Sequence, residues 1–261
     1  MAPSCTLRVY GDLNDFLPPG AGQRATARPA AGRPTVKDVI EAAGVPHPEV
    51  DLVVIDGTTV DLRRRVEPGE RIAAYPWMEA LRADDGANLL PAPRAAERFV
   101  LDGHLGRLAR LLRLCGFDVR YERDADDPEL AERSAEEDRT LLTRDIGLLK
   151  RSVVRRGRWV RATDPRRQAL EVLHRYPPGP EVVPFTRCLV CNGTIGPADR
   201  DAVDARVPER SREAFDDFTR CSSCGRVYWE GSHHEDLVAL VSDLATQLAV
   251  AGRILAWPAV R

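Results

Sequence analysis

What this 261-residue chain lacks already narrows its function. No window of about 18 residues is free of charge, which argues against a membrane span. The N-terminus has no basic start leading into an apolar stretch, so no secretory signal is expected and the cytoplasm is the expected setting. A basic surplus is missing too. The 38 Lys and Arg are offset by 40 Asp and Glu for a net charge of −2, so any affinity for nucleic acid must come from local segregation of charge. With 43% apolar residues the chain is not a disordered tail and has core material for two or three small domains.

What is present begins with sulfur. Four of the six cysteines form two CxxC pairs, Cys188/Cys191 and Cys221/Cys224. Each CxxC turn aims two thiolates at one point, and two such turns complete the soft four-sulfur shell that Zn²⁺ prefers. A closed shell leaves no position for water, so the expected zinc is structural. The rival is thiol redox chemistry, which calls for one CxxC beside a βαβ pattern, whereas both pairs here run into short Gly-bearing turns, Asn192-Gly193 and Gly225. Cys5 and Cys115 have no partner pattern, and Cys115 at the end of an apolar helical stretch reads as a core residue. The run between the pairs, 192–220, reads as a solvated excursion.

Three parts are expected along the chain, at 1–82, 97–182 and 183–250. In the first, Thr6–Tyr10 alternates as a strand, Thr35 caps a helix that stops at Gly44, and Leu52–Ile55 leads into an Asp56-Gly57 turn. Strand, helix, strand and turn predict an α+β unit of the β-grasp kind. The Pro/Gly/Ala-rich run from Pro18 to Pro34 reads as a flexible loop, and Asp84 to Pro93 as a linker.

The middle part carries the acids. Phe99-Val100-Leu101 ends in Asp102, and Thr140-Leu141-Leu142-Thr143 ends in Arg144-Asp145. Between them lie a helix with Leu105, Leu108, Leu111, Leu112 and Cys115 on its apolar side and a strand over Phe117–Tyr121, which is the βαβ pattern of an α/β parallel sheet. In such a sheet, side chains at the carboxyl ends of neighbouring strands converge in one crevice. Asp127-Pro128 opens a further helix whose first acid, Asp127, can join Asp102 and Asp145. Three carboxylates brought together call for a hard cation, Mg²⁺ or Mn²⁺, suited to phosphodiester hydrolysis. The plainer reading is that each aspartate caps a helix. A phosphatase with an aspartyl nucleophile is disfavoured, because it wants a second Asp two residues on and His104 stands there.

Positive charge gathers next to this region. From Lys150 to Arg167 there are eight Lys or Arg and one acid, Asp164, with Trp159 among them. Arg144, Lys150, Arg151, Arg155 and Arg158 are the candidates for phosphates and Trp159 for a base. Equally open is a solvated basic surface whose Trp packs inward.

The combination resembles one family. Phe99–Asp102, Leu105–Arg113, Gly116-Phe117-Asp118, Leu141–Asp145 and the two CxxC pairs with Gly225–His233 are similar to the Mut-seven carboxy-terminal ribonuclease family over about 97–240. The resemblance implies a PIN-like nuclease domain joined to a zinc ribbon, metal-dependent cleavage of RNA, and Asp102, Asp127 and Asp145 as the catalytic acids; single-stranded RNA is the expected substrate. A non-catalytic RNA-binding adaptor is the alternative. Thr35–Ala43, Val53–Gly57 and Val66–Ile72 resemble ubiquitin-like sulfur carriers, but Ala73-Ala74-Tyr75-Pro76 stands where carriers have a free Gly-Gly end. A domain that docks a protein partner is therefore expected, rather than one that carries sulfur.

Overall fold

Alternation in Ser4–Val9 buries Cys5, Leu7 and Val9 on one face, and that face makes it the inner strand β1 of a mixed sheet. The structure, a computed structural model, describes residues 2–78, 88–90, 93–199, 203 and 207–250, the Ser232 side chain excepted. It divides into two units, Met1–Ala92 with Asp145–Trp159, and Pro93–Arg144 with Val160–Arg261. Much of the expected linker 84–93 lies outside the described residues.

In the first unit β1 pairs antiparallel with β2 (Thr26–Pro29) and parallel with β5 (Arg71–Pro76). Beyond β5 come β3 (Val50–Ile55) and β4 (Thr58–Thr59), giving the order β2-β1-β5-β3-β4. Helix α1 (Val36–Ala42) opens with a reciprocal cap, Asp38 N–H to Thr35 Oγ1 at 3.1 Å and Thr35 N–H to Asp38 Oδ2 at 2.8 Å. Its apolar residues Val36, Val39 and Ile40 share a buried core with Leu7, Val9, Val53, Ile72 and Ala74, which is the β-grasp expected from sequence. Asp56 and Gly57 both have positive φ, 47° and 90°, the conformation a two-residue hairpin turn needs. One local reading needs correction. The run 18–34 contains strand β2, hidden by its Pro and Gly content. Ala73–Pro76 forms the end of β5, a paired strand and not a free tail, in keeping with the absence of a Gly-Gly end.

The second unit begins with β6 (Arg98–Leu101), α2 (Gly106–Leu114), β7 (Asp118–Tyr121), α3 (Asp127–Glu136) and β8 (Thr140–Thr143). The strands β7-β6-β8 are parallel, with Leu101 opposite Tyr121 on one side and Leu142 on the other. Because β7 follows β6 on one flank and β8 lies on the other, the order reverses at β6, and the carboxyl end of β6 is the switch point where α/β sheets place ligands. Gly116, with φ +96°, ends the α2 region where a Cβ would fall 2.1 Å from the Val183 carbonyl oxygen.

The chain then enters the first unit for α4 (Ile146–Leu149) and β9 (Gly157–Trp159) before returning for α5 (Pro165–Arg175). The sequence reading assigned 145–159 wholly to the middle part. The ribbon follows as β10 (Ile195–Pro197), α6 (Glu209–Ala214), β11 (Phe218–Cys221) and β12 (Val227–Trp229), with β11 central in an antiparallel sheet. The excursion expected to be merely solvated brings Val203, Val207 and Phe215 against Phe218 and Trp229 in a small core of its own. Helix α7 (Ser232–Val250) buries Leu244 and Leu248 in the core of Phe99, Leu101, Leu112, Phe117 and Leu173. Among the described residues no helix is long and apolar enough to cross a membrane.

Candidate active site and metal centre

Asp102 follows β6 directly and lies at the switch point. It is 6% exposed, with the carboxylate held on two sides. Oδ1 accepts the His104 N–H at 2.9 Å, capping the short turn Gly103–Leu105, and Oδ2 accepts the Arg144 N–H at 3.1 Å and the Thr143 hydroxyl. Three donors neutralise much of the cost of burying a carboxylate, and two come from the end of β8. The strand-end placement read from sequence is therefore present at Asp102 in full. At α3 the cap is Asp126, whose Oδ1 accepts the Glu129 N–H at 2.9 Å. Asp127 is the first helical residue, a correction of one position made possible because Pro128 is tolerated throughout the first turn. Asp145 is exposed and caps α4, with Oδ1 accepting the Gly147 N–H at 2.6 Å.

Beside Asp102 opens a cleft of about 620 Å³ bordered by Gly103, His104, Arg107, Tyr121, Arg123 and Gln168. Arg107 and Arg123 are exposed. Two glycines keep the walls close: a Cβ on Gly103 would lie 2.3 Å from the Arg123 carbonyl oxygen, and one on Gly106 would lie 2.6 Å from the Tyr121 hydroxyl. Sequence reasoning missed these cations because it looked for a run of charge, whereas Arg107 and Arg123 come from different elements.

The basic run fares differently. Arg144 Nη1 donates to the carbonyls of Arg161 at 3.0 Å and Ala162 at 2.5 Å, and Lys150 Nζ to the carbonyl of Glu41 at 2.9 Å. Arg158 is ion-paired with Glu49 and Asp12, and the Trp159 ring packs against Phe16 at 5.0 Å between centroids. Arg158 and Trp159, expected at RNA, are thus engaged inside the first unit. A buried carboxylate, Glu49, with Asp12 beside it, offers a guanidinium more there than solvent does. Arg151 and Arg155 are exposed.

The cysteine quartet is the one group of three or more metal-ligating side chains gathered among the described residues, its sulfurs all within 4.8 Å of one another. Asp102, Asp127 and Asp145 stand outside it. Sγ of Cys188 is 3.7 Å from that of Cys224, and Cys191 is 3.4 Å from Cys221. Zn–S bonds of about 2.3 Å in a tetrahedron set sulfurs about 3.8 Å apart, so the donor set fits zinc. The two CxxC turns repeat one another. The fourth residue after the first cysteine returns its N–H to that cysteine's carbonyl, Asn192 to Cys188 at 2.9 Å and Gly225 to Cys221 at 3.1 Å, and each has φ +70°. Burial raises the Cys188 thiol, but the Tyr228 hydroxyl at 3.0 Å and nearby backbone N–H groups outweigh it and bring the pKa down to about 6.

The first of these turns is fastened to the parallel sheet. Arg113, buried on α2, donates to the Val119 carbonyl at 2.8 Å and to the Val190 carbonyl at 2.9 Å. Asn192 accepts the Val119 N–H at 2.8 Å and donates to Asp118 Oδ1 at 2.7 Å. Burial acts to raise the Asp118 carboxyl, and its bonds to Arg139 and Asn192 reverse that and hold it low.

A parallel sheet with a buried acid at its switch point and a fastened Cys₄ ribbon is the arrangement that the sequence comparisons match. The family model described as Mut7-C RNAse domain covers residues 97–241, more than half of the chain. The chain belongs to the Mut7-C RNAse family. A second model, Mut7-C ubiquitin, covers residues 2–82, the β-grasp region. No curated protein and no solved structure matches. As a Mut7-C RNAse, the chain is an enzyme of the nuclease class with a ubiquitin-like domain at the N-terminal side and a Cys₄ centre able to hold a metal ion.

Proposed function

We propose that this chain hydrolyses phosphodiester bonds of single-stranded RNA in the cytoplasm, at a site built on Asp102. The supporting observation is a buried carboxylate at the sheet's switch point with a basic cleft beside it. Asp102, Asp127 and Asp145 would hold a divalent Mg²⁺ or Mn²⁺, which when bound polarises a phosphate and makes water acidic enough to serve as a nucleophile. Three hydrogen bonds hold the Asp102 carboxylate in position and leave capacity on its two oxygens for one more partner. Arg107 and Arg123 hold the phosphates on either side of the scissile bond, with Arg151 and Arg155 extending the track for the strand. Zinc in the Cys₄ shell organises the ribbon and takes no part in chemistry. The expected test is cleavage of labelled single-stranded RNA by the full chain with Mn²⁺, abolished by EDTA and by Asp102→Asn in a variant that keeps its thermal transition. Binding without cleavage under all metals would favour an RNA-binding adaptor, a reading supported by the fact that Asp102 and Asp145 both already serve as caps.

A further inference from the structure

Helix α4 is a single turn of four residues, far too short to hold its shape alone. What holds it comes from the ubiquitin-like domain. Glu49, buried, accepts Arg158 Nη1 on Oε2 at 2.6 Å and the Trp159 N–H on Oε1 at 2.6 Å, so one carboxylate fixes two successive residues. The other arm of Arg158 reaches Asp12 at 2.7 Å. His47, from the same turn as Glu49, meets the Val154 carbonyl through Nε2 at 2.8 Å and Glu41 through Nδ1 at 2.7 Å. Leu148, Leu149 and Val154 are buried, and Gly157 leaves no room for a side chain, since a Cβ would lie 2.6 Å from Leu149 Cδ2 and 3.5 Å from Pro48. Buried charges are costly unless paired, so this set of acids and a histidine is a surface shaped for one occupant.

We infer that the occupant is the RNAse domain's own Asp145–Trp159 segment, and that Glu49 and Arg158 are positioning residues for the nuclease, fixing α4 and through it Asp145. This rests on the reading of Asp145 as a site acid. The domain then acts as an internal clamp. Asp145 caps the helix that this surface anchors, through Lys150 on the Glu41 carbonyl and His47 on the Val154 carbonyl. Misplacing a reacting group by about 1 Å costs about a hundredfold in rate, so release of α4 is expected to lower turnover chiefly, while Arg107 and Arg123, outside the released segment, keep their hold on RNA.

The experiment uses the full chain as wild type, Glu49→Gln, Arg158→Met, Arg158→Lys and the Glu49→Gln/Arg158→Met double variant. Amide hydrogen exchange and metal-dependent cleavage of single-stranded RNA are measured on each. Glu49→Gln and Arg158→Met are expected to lose protection over 146–159 while β6 and β8 keep theirs. In those variants kcat falls at least about tenfold, and KM, which Arg151 and Arg155 of the released segment also serve, rises by no more than a few fold. Arg158→Lys recovers most of both, and the double variant is no worse than the worse single, because neither Glu49 nor Arg158 is left buried without the other. Unchanged protection in Arg158→Met would overturn the clamp, and lost protection with unchanged kcat would overturn the positioning role. If Glu49→Gln loosens β6 and β8 as well, Asp12→Asn removes only the outer pair and gives the same comparison. A wild type that never cleaves RNA defeats the nuclease reading and the positioning role with it, while the exchange pattern still decides whether the clamp exists.

Discussion

The Cys₄ centre gathers four groups that can carry negative charge and the Asp102 pocket holds one, and they accommodate it by opposite means. At the cysteines, four sulfurs face one another within 4.8 Å, and as thiolates they would repel one another strongly without a cation among them. At Asp102, two backbone N–H groups and the Thr143 hydroxyl already neutralise the carboxylate. The first arrangement calls for a cation among its sulfurs, while in the second the chain's own donors already meet the carboxylate.

That contrast is open to attack at several points. The largest effect is expected from Cys221→Ser or from stripping zinc with a strong chelator: hydrogen exchange should report loss of protection throughout 188–229 and the melting transition should fall, since ligand–metal free energy is folding free energy in such ribbons. Removing Mg²⁺ or Mn²⁺ should lower the transition only by the small amount that ion binding to the folded chain adds, and a matching drop there would erase the distinction. Next comes Asp102→Asn, expected to cut metal-dependent cleavage by about a hundredfold or more with the fold intact, checked by single-turnover kinetics. Arg113→Met should lower stability to urea by about 2 kcal/mol, because it leaves the buried Val119 carbonyl without that donor and frees the turn at Val190. Ribbon amides should exchange faster than those of β6 in that variant. The smallest effect is expected from Arg107→Ala or Arg123→Ala, a rise in KM of a few fold. The slope of log affinity against log salt should become shallower by about 0.7 for each phosphate that is no longer neutralised.

How much of this was legible varies with the distance over which each feature is encoded. The strand ending in Asp102, the helix stopping at Gly116, the Thr35 cap and the Asp56-Gly57 turn are local patterns, and each appears where the residues point. The cap at α3 was misread by one residue, because Asp126 and Asp127 are equally good caps and Pro128 suits either reading. Strand β2 was hidden, since its pairing with β1, not its composition, makes it a strand. Arg158 and Trp159 were misread for a related reason: charge density along the chain says nothing about the acids at Asp12 and Glu49, more than 100 positions away, that claim the guanidinium.

By itself the sequence determined the two CxxC turns, the period of its strands and helices and the family to which it belongs, because each is written in residues a few positions apart whose geometry is set by the backbone. Only the tertiary structure decided that β6 is the switch point of the sheet, that Arg107 and Arg123 flank one cleft, and that the run 145–159 is held by the ubiquitin-like domain. Those depend on which distant groups gain most by leaving water together, and that balance exists only once the chain has folded.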